Sequence, residues 1–528
     1  MRVMYRAVHP FQHGHQRIGT LVCPGRQDGQ HTHGGKHRRD VTRFHRERPR
    51  DIGAERQSAA CTRHAASTAA SLSGGSARPG PVAAEISRNS RLSRAITAPG
   101  DDRDRLAAYN PLMRRVTVSA ISLLLLGVLL AGCEPTPPME PQSLDGRWRG
   151  ELLTPGGALP FGLEFAGEAE GRLQAWLING EERTPVGEVH RDHDQLTLVM
   201  PAHGSAIVAN VSERLISGQL TLTRAGGEQQ LIPFSARPGD WRFFAQPVAV
   251  EADFTGRWAV EFLGGAEPSP AIGEFRQQDG RVTGTFVTPL GDYRFLEGEV
   301  RGRELFLSTF AGGHVFLFRA RMEDDGGLEG DFWSGLRWHE DWQGRRDDDA
   351  RLPDPTTLTR LQDDAERFDF AFPGLDGEPV TLADDYFQDK AVIVTLGGSW
   401  CPNCHDEAAF LAEWYRENAA RGVAIVGLMY EHFEDFDEAA AAVGRFRDTY
   451  GVGYPLLVAG ISDKQAAAET LPMLTEVLAY PTTIYLDRNH EVRRIHTGFF
   501  GPGAGEYHER WREEFLAFMD TLLADETA

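Results

Sequence analysis

Of the five cysteines in this 528-residue chain, Cys401 and Cys404 stand two residues apart in Trp400-Cys-Pro-Asn-Cys404. Thiols at this spacing can close a small reversible disulfide, and the thiolate of such a pair is both a nucleophile and a metal ligand. A structural zinc site takes about four ligands. The remaining cysteines, Cys23, Cys61 and Cys133, offer no second close pair. No metal is therefore assigned, and dithiol–disulfide exchange is the favoured chemistry over half a zinc site or two structural cysteines.

The residues around the pair say how it is positioned. An apolar β-type run, Ala391 to Leu396, precedes it, and Phe410, Leu411, Trp414 and Tyr415 recur at helical spacing after it. The cysteines therefore sit where a strand turns into a helix. Unpaired amides and the dipole at a helix start stabilise an anion, which favours Cys401 as the attacking thiolate. Pro402 restricts the loop, and Cys404, within the first turn, is expected to be the resolving thiol, less exposed and less acidic.

The stretch Gly-Ser-Trp400-Cys-Pro-Asn-Cys-His-Asp-Glu resembles the active site of the thioredoxin superfamily, in its TlpA/ResA-type branch of extracytoplasmic disulfide reductases. Tyr480-Pro481-Thr-Thr before the apolar run Ile484-Tyr-Leu486 supports the resemblance, which covers the chain from about Phe368 onward. It implies a cis Pro481 facing the cysteines, with Trp400, Pro402, Asn403, Tyr480 and Pro481 shaping a docking surface for a protein disulfide. It also implies no organic cofactor and a membrane thiol transporter as electron donor. Glu431 lies near where the family often places an acidic residue, although its loop is acidic throughout. His405 either tunes Cys401 or points outward. One departure stands out: six residues before Cys401, where thioredoxin has a buried Asp, this chain has Thr395, so protons of Cys404 must pass through another group or water.

The formal charge of -21 is a mixture. Residues 1–112 carry 19 Lys+Arg against 9 Asp+Glu and eight of the 18 His, which leaves 36 against 67 in the remainder. Without apolar periodicity this segment forms no core. It reads as disordered or as untranslated upstream sequence rather than as a basic nucleic-acid-binding or metal-binding tail, because an export signal follows it. Residues 113–133 form that signal: Met-Arg-Arg, an apolar core from Ile121 to Leu130, and Leu130-Ala-Gly-Cys133. The apolar run is too short for the roughly 20 residues of a spanning helix. Its ending resembles a bacterial lipobox, which implies lipid on Cys133 and a periplasmic protein anchored to a bacterial membrane. Residues 134–141 are a proline-rich tether.

Residues 142–345 alternate in short runs broken by glycine turns, and they repeat. Gly146-Arg-Trp148 returns as Gly256-Arg-Trp258, Gly171-Arg-Leu173 as Gly280-Arg-Val282, and Gly187-Glu-Val189 as Gly298-Glu-Val300. Two all-β copies, 142–250 and 251–345, follow, each a small barrel or half of a shared one. Trp148 and Trp258 are expected to fill two cores. The copies read either as a spacer or as a binding module that uses Trp333, Trp338 and Trp342. A charged, proline-ending linker, 346–365, leads to residues 366–528, where strands and helices alternate in an α/β thioredoxin fold with one inserted helix before Pro481. That last part is expected to fold alone from about Leu352.

The expected function is an extracytoplasmic, membrane-anchored disulfide reductase without nucleic-acid partners. A thiol oxidant and a surface lipoprotein whose β repeats bind a ligand are the competing readings. A peroxidase fits less well, because the cysteines are paired rather than isolated.

Overall fold

The computed structural model describes residues 143–524, apart from 247 and 366. The upstream segment, the signal sequence, Cys133 and the tether lie outside the described residues. Each β copy builds its own antiparallel sheet. The first has nine strands, running from Glu182–Pro185 back through Gln174–Asn179, Gly157–Ala166 and Gly146–Thr154, then through Gln229–Pro238, Leu215–Thr223, Ser205–Ser212 and Gln195–Met200 to Glu188–Asp192. In the second copy, Ser269–Gln278 pairs with both Gly256–Phe262 and Arg281–Thr288, so eight strands close into a ring. The choice between two barrels and one shared barrel thus falls to two separate sheets. Among the described residues no ladder joins the two ends of the first, which curls around one core as an open barrel beside the closed second.

Alternation explains the sheets. Gln229–Pro238 buries every second side chain, as a strand with one face on a core must. Trp148 and Trp258 are both buried, and each indole N–H donates to the carbonyl four residues before it, Leu144 at 2.8 Å and Phe254 at 2.9 Å. The expectation that they fill the two cores therefore holds. The second interior is closed by aromatic rings, with Phe286 lying 4.7 Å from Phe318, 5.1 Å from Trp342 and 5.3 Å from Phe275 between centroids. Trp342, suggested above as an external contact, is one of these core residues.

The two barrels share an apolar seam, since Phe310, Val315 and Leu317 of the second copy belong to the first copy's core. A buried arginine fixes their register. Arg242 donates to Asn179 Oδ1 at 3.1 Å and to the Ser308 carbonyl at 2.8 Å. Burial lowers its guanidinium to about 10.

From Phe368 the chain forms a five-stranded sheet. The central strand, Ala391–Gly397, runs parallel to Val423–Glu431, which pairs with Leu456–Ile461 on one side; Thr482–Leu486 and Val492–Thr497 follow on the other, antiparallel. Of the three parallel strands, Ala391–Gly397 and Val423–Glu431 are buried along their whole length, which is why they read as continuous apolar runs. Helices α1 (Pro402–Asn418), α2 (Phe436–Tyr450) and α4 (Glu506–Ala524) cover one face through Leu411, Trp414, Val443, Phe446, Trp511 and Phe515. The opposite face packs against Phe368, Phe370, Phe387 and the inserted helix α3, Lys464–Thr470. The segment after Arg346 does not hang free: Thr359 N–H donates to Thr497 Oγ1 at 3.2 Å and Leu361 bridges to Leu474. No helix of the described residues is long and apolar enough to cross a membrane.

Candidate active site

Cys401 is the N-cap of α1, and Pro402 takes the first helical position, where its missing N–H costs nothing. The Cys404 N–H points at Cys401 Sγ from 3.2 Å. A thiolate formed on Cys401 thus meets both a donor and the positive end of α1. The two cysteines are joined as a disulfide. Cys401 Sγ lies 3.3 Å from the Tyr480 carbonyl oxygen, and the Tyr480–Pro481 bond is cis. Cys404 Sγ lies over Gly397, where a Cβ would stand 3.4 Å from it.

The loop before the pair is clamped. Glu431, 1% exposed, accepts from Ser399 N–H at 2.7 Å and from Ser399 Oγ at 2.6 Å. It is therefore not a surface carboxylate despite its acidic loop, and burial pushes it up to about 7. Trp400 donates its indole N–H to the Tyr430 carbonyl at 2.8 Å and stacks on His432 at 4.7 Å. His405 faces inward: Nε2 lies 2.6 Å from the Ser399 carbonyl and Nδ1 2.7 Å from Tyr450 Oη. Burial lowers it to about 3, so it is neutral and holds the loop rather than placing a charge beside Cys401. Asn403 donates to the Phe499 carbonyl at 3.3 Å, while its buried Oδ1 has no partner among the described residues.

Sequence reasoning assigned no role to Glu407. It follows Cys404 by three positions on α1, so both project from one face of the helix. It is buried, accepts from Thr483 Oγ1 at 2.6 Å, and is pushed up to about 7 by burial. Thr483 stands opposite Thr395 in the sheet. A carboxyl that titrates near neutrality therefore sits beside the position where Thr395 replaces the expected Asp. The available signal was an acidic residue inside the apolar stripe Cys404, Ala408, Leu411.

The expectation that Cys404 is the less exposed thiol is not met, since Cys401 is 2% and Cys404 4% exposed. The β copies, which a spacer role would hold apart from the site, pack against the residues on either side of Cys401. His314 Nε2 lies 3.1 Å from the Trp400 carbonyl, and Arg294 donates to the Pro402 carbonyl at 3.3 Å and to Asp406 at 2.7 Å. Among the described residues one set has metal-ligand character, Asp331, His339 and Asp341 on the second barrel. His339 already pairs with Asp331 at 2.8 Å, and no dithiol residue belongs to the set.

Residues 363–495 match the AhpC/TSA family model. Over 129 residues the chain is 27% identical to the thiol-disulfide oxidoreductase ResA of Halalkalibacterium halodurans, covering 24% of this chain and 65% of that one. Over 138 residues it is 28% identical to the thioredoxin-like protein YneN of Bacillus subtilis, covering 26% and 73%. The chain thus spans about two thirds of the length of these curated relatives. Among solved structures, a DsbF homologue from Corynebacterium diphtheriae aligns at 23% identity over 31% of this chain and 94% of that one, with a TM-score of 0.23. A secreted thiol-disulfide isomerase from Corynebacterium glutamicum aligns at 24% identity over 29% and 89%, also with a TM-score of 0.23. With a cysteine pair at a helix start beside Pro481 and these curated relatives over the same residues, the C-terminal third of the chain is similar to the TlpA/ResA-like thioredoxin-fold thiol-disulfide oxidoreductases.

Proposed function

We propose that this chain is an extracytoplasmic disulfide reductase tethered to a membrane through lipid on Cys133. The observation that carries the chemistry is Cys401 Sγ at the start of α1, 3.2 Å from the Cys404 N–H and 3.3 Å from the carbonyl that precedes cis Pro481. In the reduced enzyme the Cys401 thiolate attacks one sulfur of a client disulfide. The client's other sulfur leaves as a thiolate and takes a proton, and a Cys401–client mixed disulfide remains. Cys404 then gives its proton to Glu407 and attacks Cys401 Sγ. That step releases the second client thiol and leaves the Cys401–Cys404 disulfide, so two electrons have passed to the client. A membrane dithiol donor returns them. Trp400, Pro402, Asn403, Tyr480 and Pro481 form the client-facing surface, and Glu431 holds its loop.

The test is trapping. Cys404→Ser should accumulate a mixed disulfide with client protein, and Cys401→Ser should accumulate none. Absence of any adduct with Cys404→Ser, or adducts with Cys401→Ser alone, would overturn the assignment of roles. The direction of transfer is read from the reduction potential, where about 30 mV corresponds to roughly 1.4 kcal/mol for a two-electron couple. A potential near that of strong thiol oxidants would make the protein an oxidant instead.

A further inference from the structure

A protein client must bring one of its sulfurs to bonding distance of Cys401 Sγ, yet Cys401 is buried and the chain's own barrels contact the residues on both sides of it. Trp400, on one side of Cys401, has its carbonyl 3.1 Å from His314 Nε2. Pro402, on the other side, accepts from Arg294. Asn403 is pressed against Gly291, where a Cβ would come within 1.9 Å of its amide nitrogen. The first barrel adds the His203 ring, stacked 4.2 Å from that of His405, and the Gly226 and Gly227 N–H groups, which donate to the His432 carbonyl at 2.8 and 3.1 Å. His432 in turn stacks on Trp400.

The strongest tie is Arg294. This mostly buried guanidinium from the second barrel donates to Asp406 of α1 at 2.7 Å and also pairs with Glu182 of the first barrel. Next to it, Asp292 accepts from the Gly501 N–H at 2.6 Å. One cation therefore joins both barrels to the helix that carries the dithiol. Removing it would leave the half-buried carboxylates of Glu182 and Asp406 without this partner, a state that favours separation.

We infer that the two barrels are a cap held in cis over the Cys401–Cys404 pair, latched through Arg294, and that exchange with a protein partner passes through a state in which the cap has let go. This rests on the pair being the exchanging dithiol, as proposed above. The bond chemistry is unchanged by it. A partner dithiol attacks Cys401 Sγ, the Cys404 sulfur leaves and takes a proton, and the partner's second thiol completes the reduction; only access to Cys401 is gated.

The experiment uses the full chain in its disulfide form and follows reduction of Cys401–Cys404 by dithiothreitol and by a reduced thioredoxin, a protein dithiol. Arg294→Ala and, as a second variant, His314→Ala are each compared with the parent. Both variants should react with the protein dithiol at least about tenfold faster, equivalent to about 1.4 kcal/mol in the opening equilibrium, with a smaller gain for dithiothreitol. Amide exchange should speed up at Gly226, Gly227 and Gly501, whose N–H groups bond across the contact, and stay slow through Ala391–Gly397. If exchange in Ala391–Gly397 also rises, that variant has unfolded and the other decides. Parent rates in both variants, with the central strand still protected, would overturn the cap while leaving the dithiol assignment standing. Faster reduction in the variants, with no client adduct on Cys404→Ser, would keep the cap and overturn the proposed function.

Discussion

Replacing Glu407 with Gln removes a charge and little else, because Gln can still accept from Thr483 Oγ1, now 2.6 Å from Glu407 Oε1. Burial moves this carboxyl from its ordinary 4.5 to about 7. A displacement of that size corresponds to about 3 kcal/mol between the protonated and ionised forms. A carboxyl whose folded pKa lies above its unfolded value keeps a proton in the folded state that the unfolded chain gives up. Its protonated form therefore stabilises the fold at low pH, and that contribution is lost as pH rises through about 7. Glu407→Gln never ionises, so its advantage over the parent should be small near about pH 5 and grow by about 2–3 kcal/mol toward about pH 8. Amide exchange of the central strand Ala391–Gly397 gives the opening free energy of this region in both proteins. The same variant should lose the step near neutrality in the pH–rate profile of client release, and its rate should fall within the roughly 10²–10⁴-fold range of general acid–base effects. Glu431 is displaced to about 7 as well, so Glu431→Gln is the control that separates the two titrations. An unchanged pH dependence of both stability and rate in Glu407→Gln would refute the reasoning.

Two further outcomes are expected. Phe286→Ala removes the ring that joins Phe262, Phe275, Phe318 and Trp342 in the second barrel, and should cost that barrel about 3–5 kcal/mol; denaturant unfolding of the full chain would show it as an earlier barrel transition, and an unshifted one would contradict the packing. In the native host, intact-mass analysis should find a chain that begins at a lipid-modified Cys133, and recovery of peptides from residues 1–112 would count against the lipobox reading.

What the sequence made legible was whatever depends on local periodicity. Ala391–Gly397 and Val423–Glu431 are continuous apolar runs because both faces of the sheet are covered, and the Gly-Arg-Trp repeat pointed to two equivalent β copies because each tryptophan solves the same packing problem. The cysteine pair was legible for the same reason: two positions and one turn define it. Glu431 and His405 were ambiguous, because whether a polar side chain at the end of a strand or the start of a helix faces inward depends on tertiary partners, here Ser399 for Glu431, and Ser399 together with the more remote Tyr450 for His405. The contact between the barrels and the dithiol left no periodic trace at all. Arg294, Glu182 and Asp406 lie 112 residues from one another in two pairings, and each alone looks like an ordinary charged residue at a turn or helix start. Their convergence changes the meaning of a motif that was read correctly in isolation. A cysteine pair at a helix start is equipped for exchange by its local electrostatics, but its rate with a protein partner is set by what stands in front of it, and in this chain that is supplied by residues that precede it by more than eighty positions.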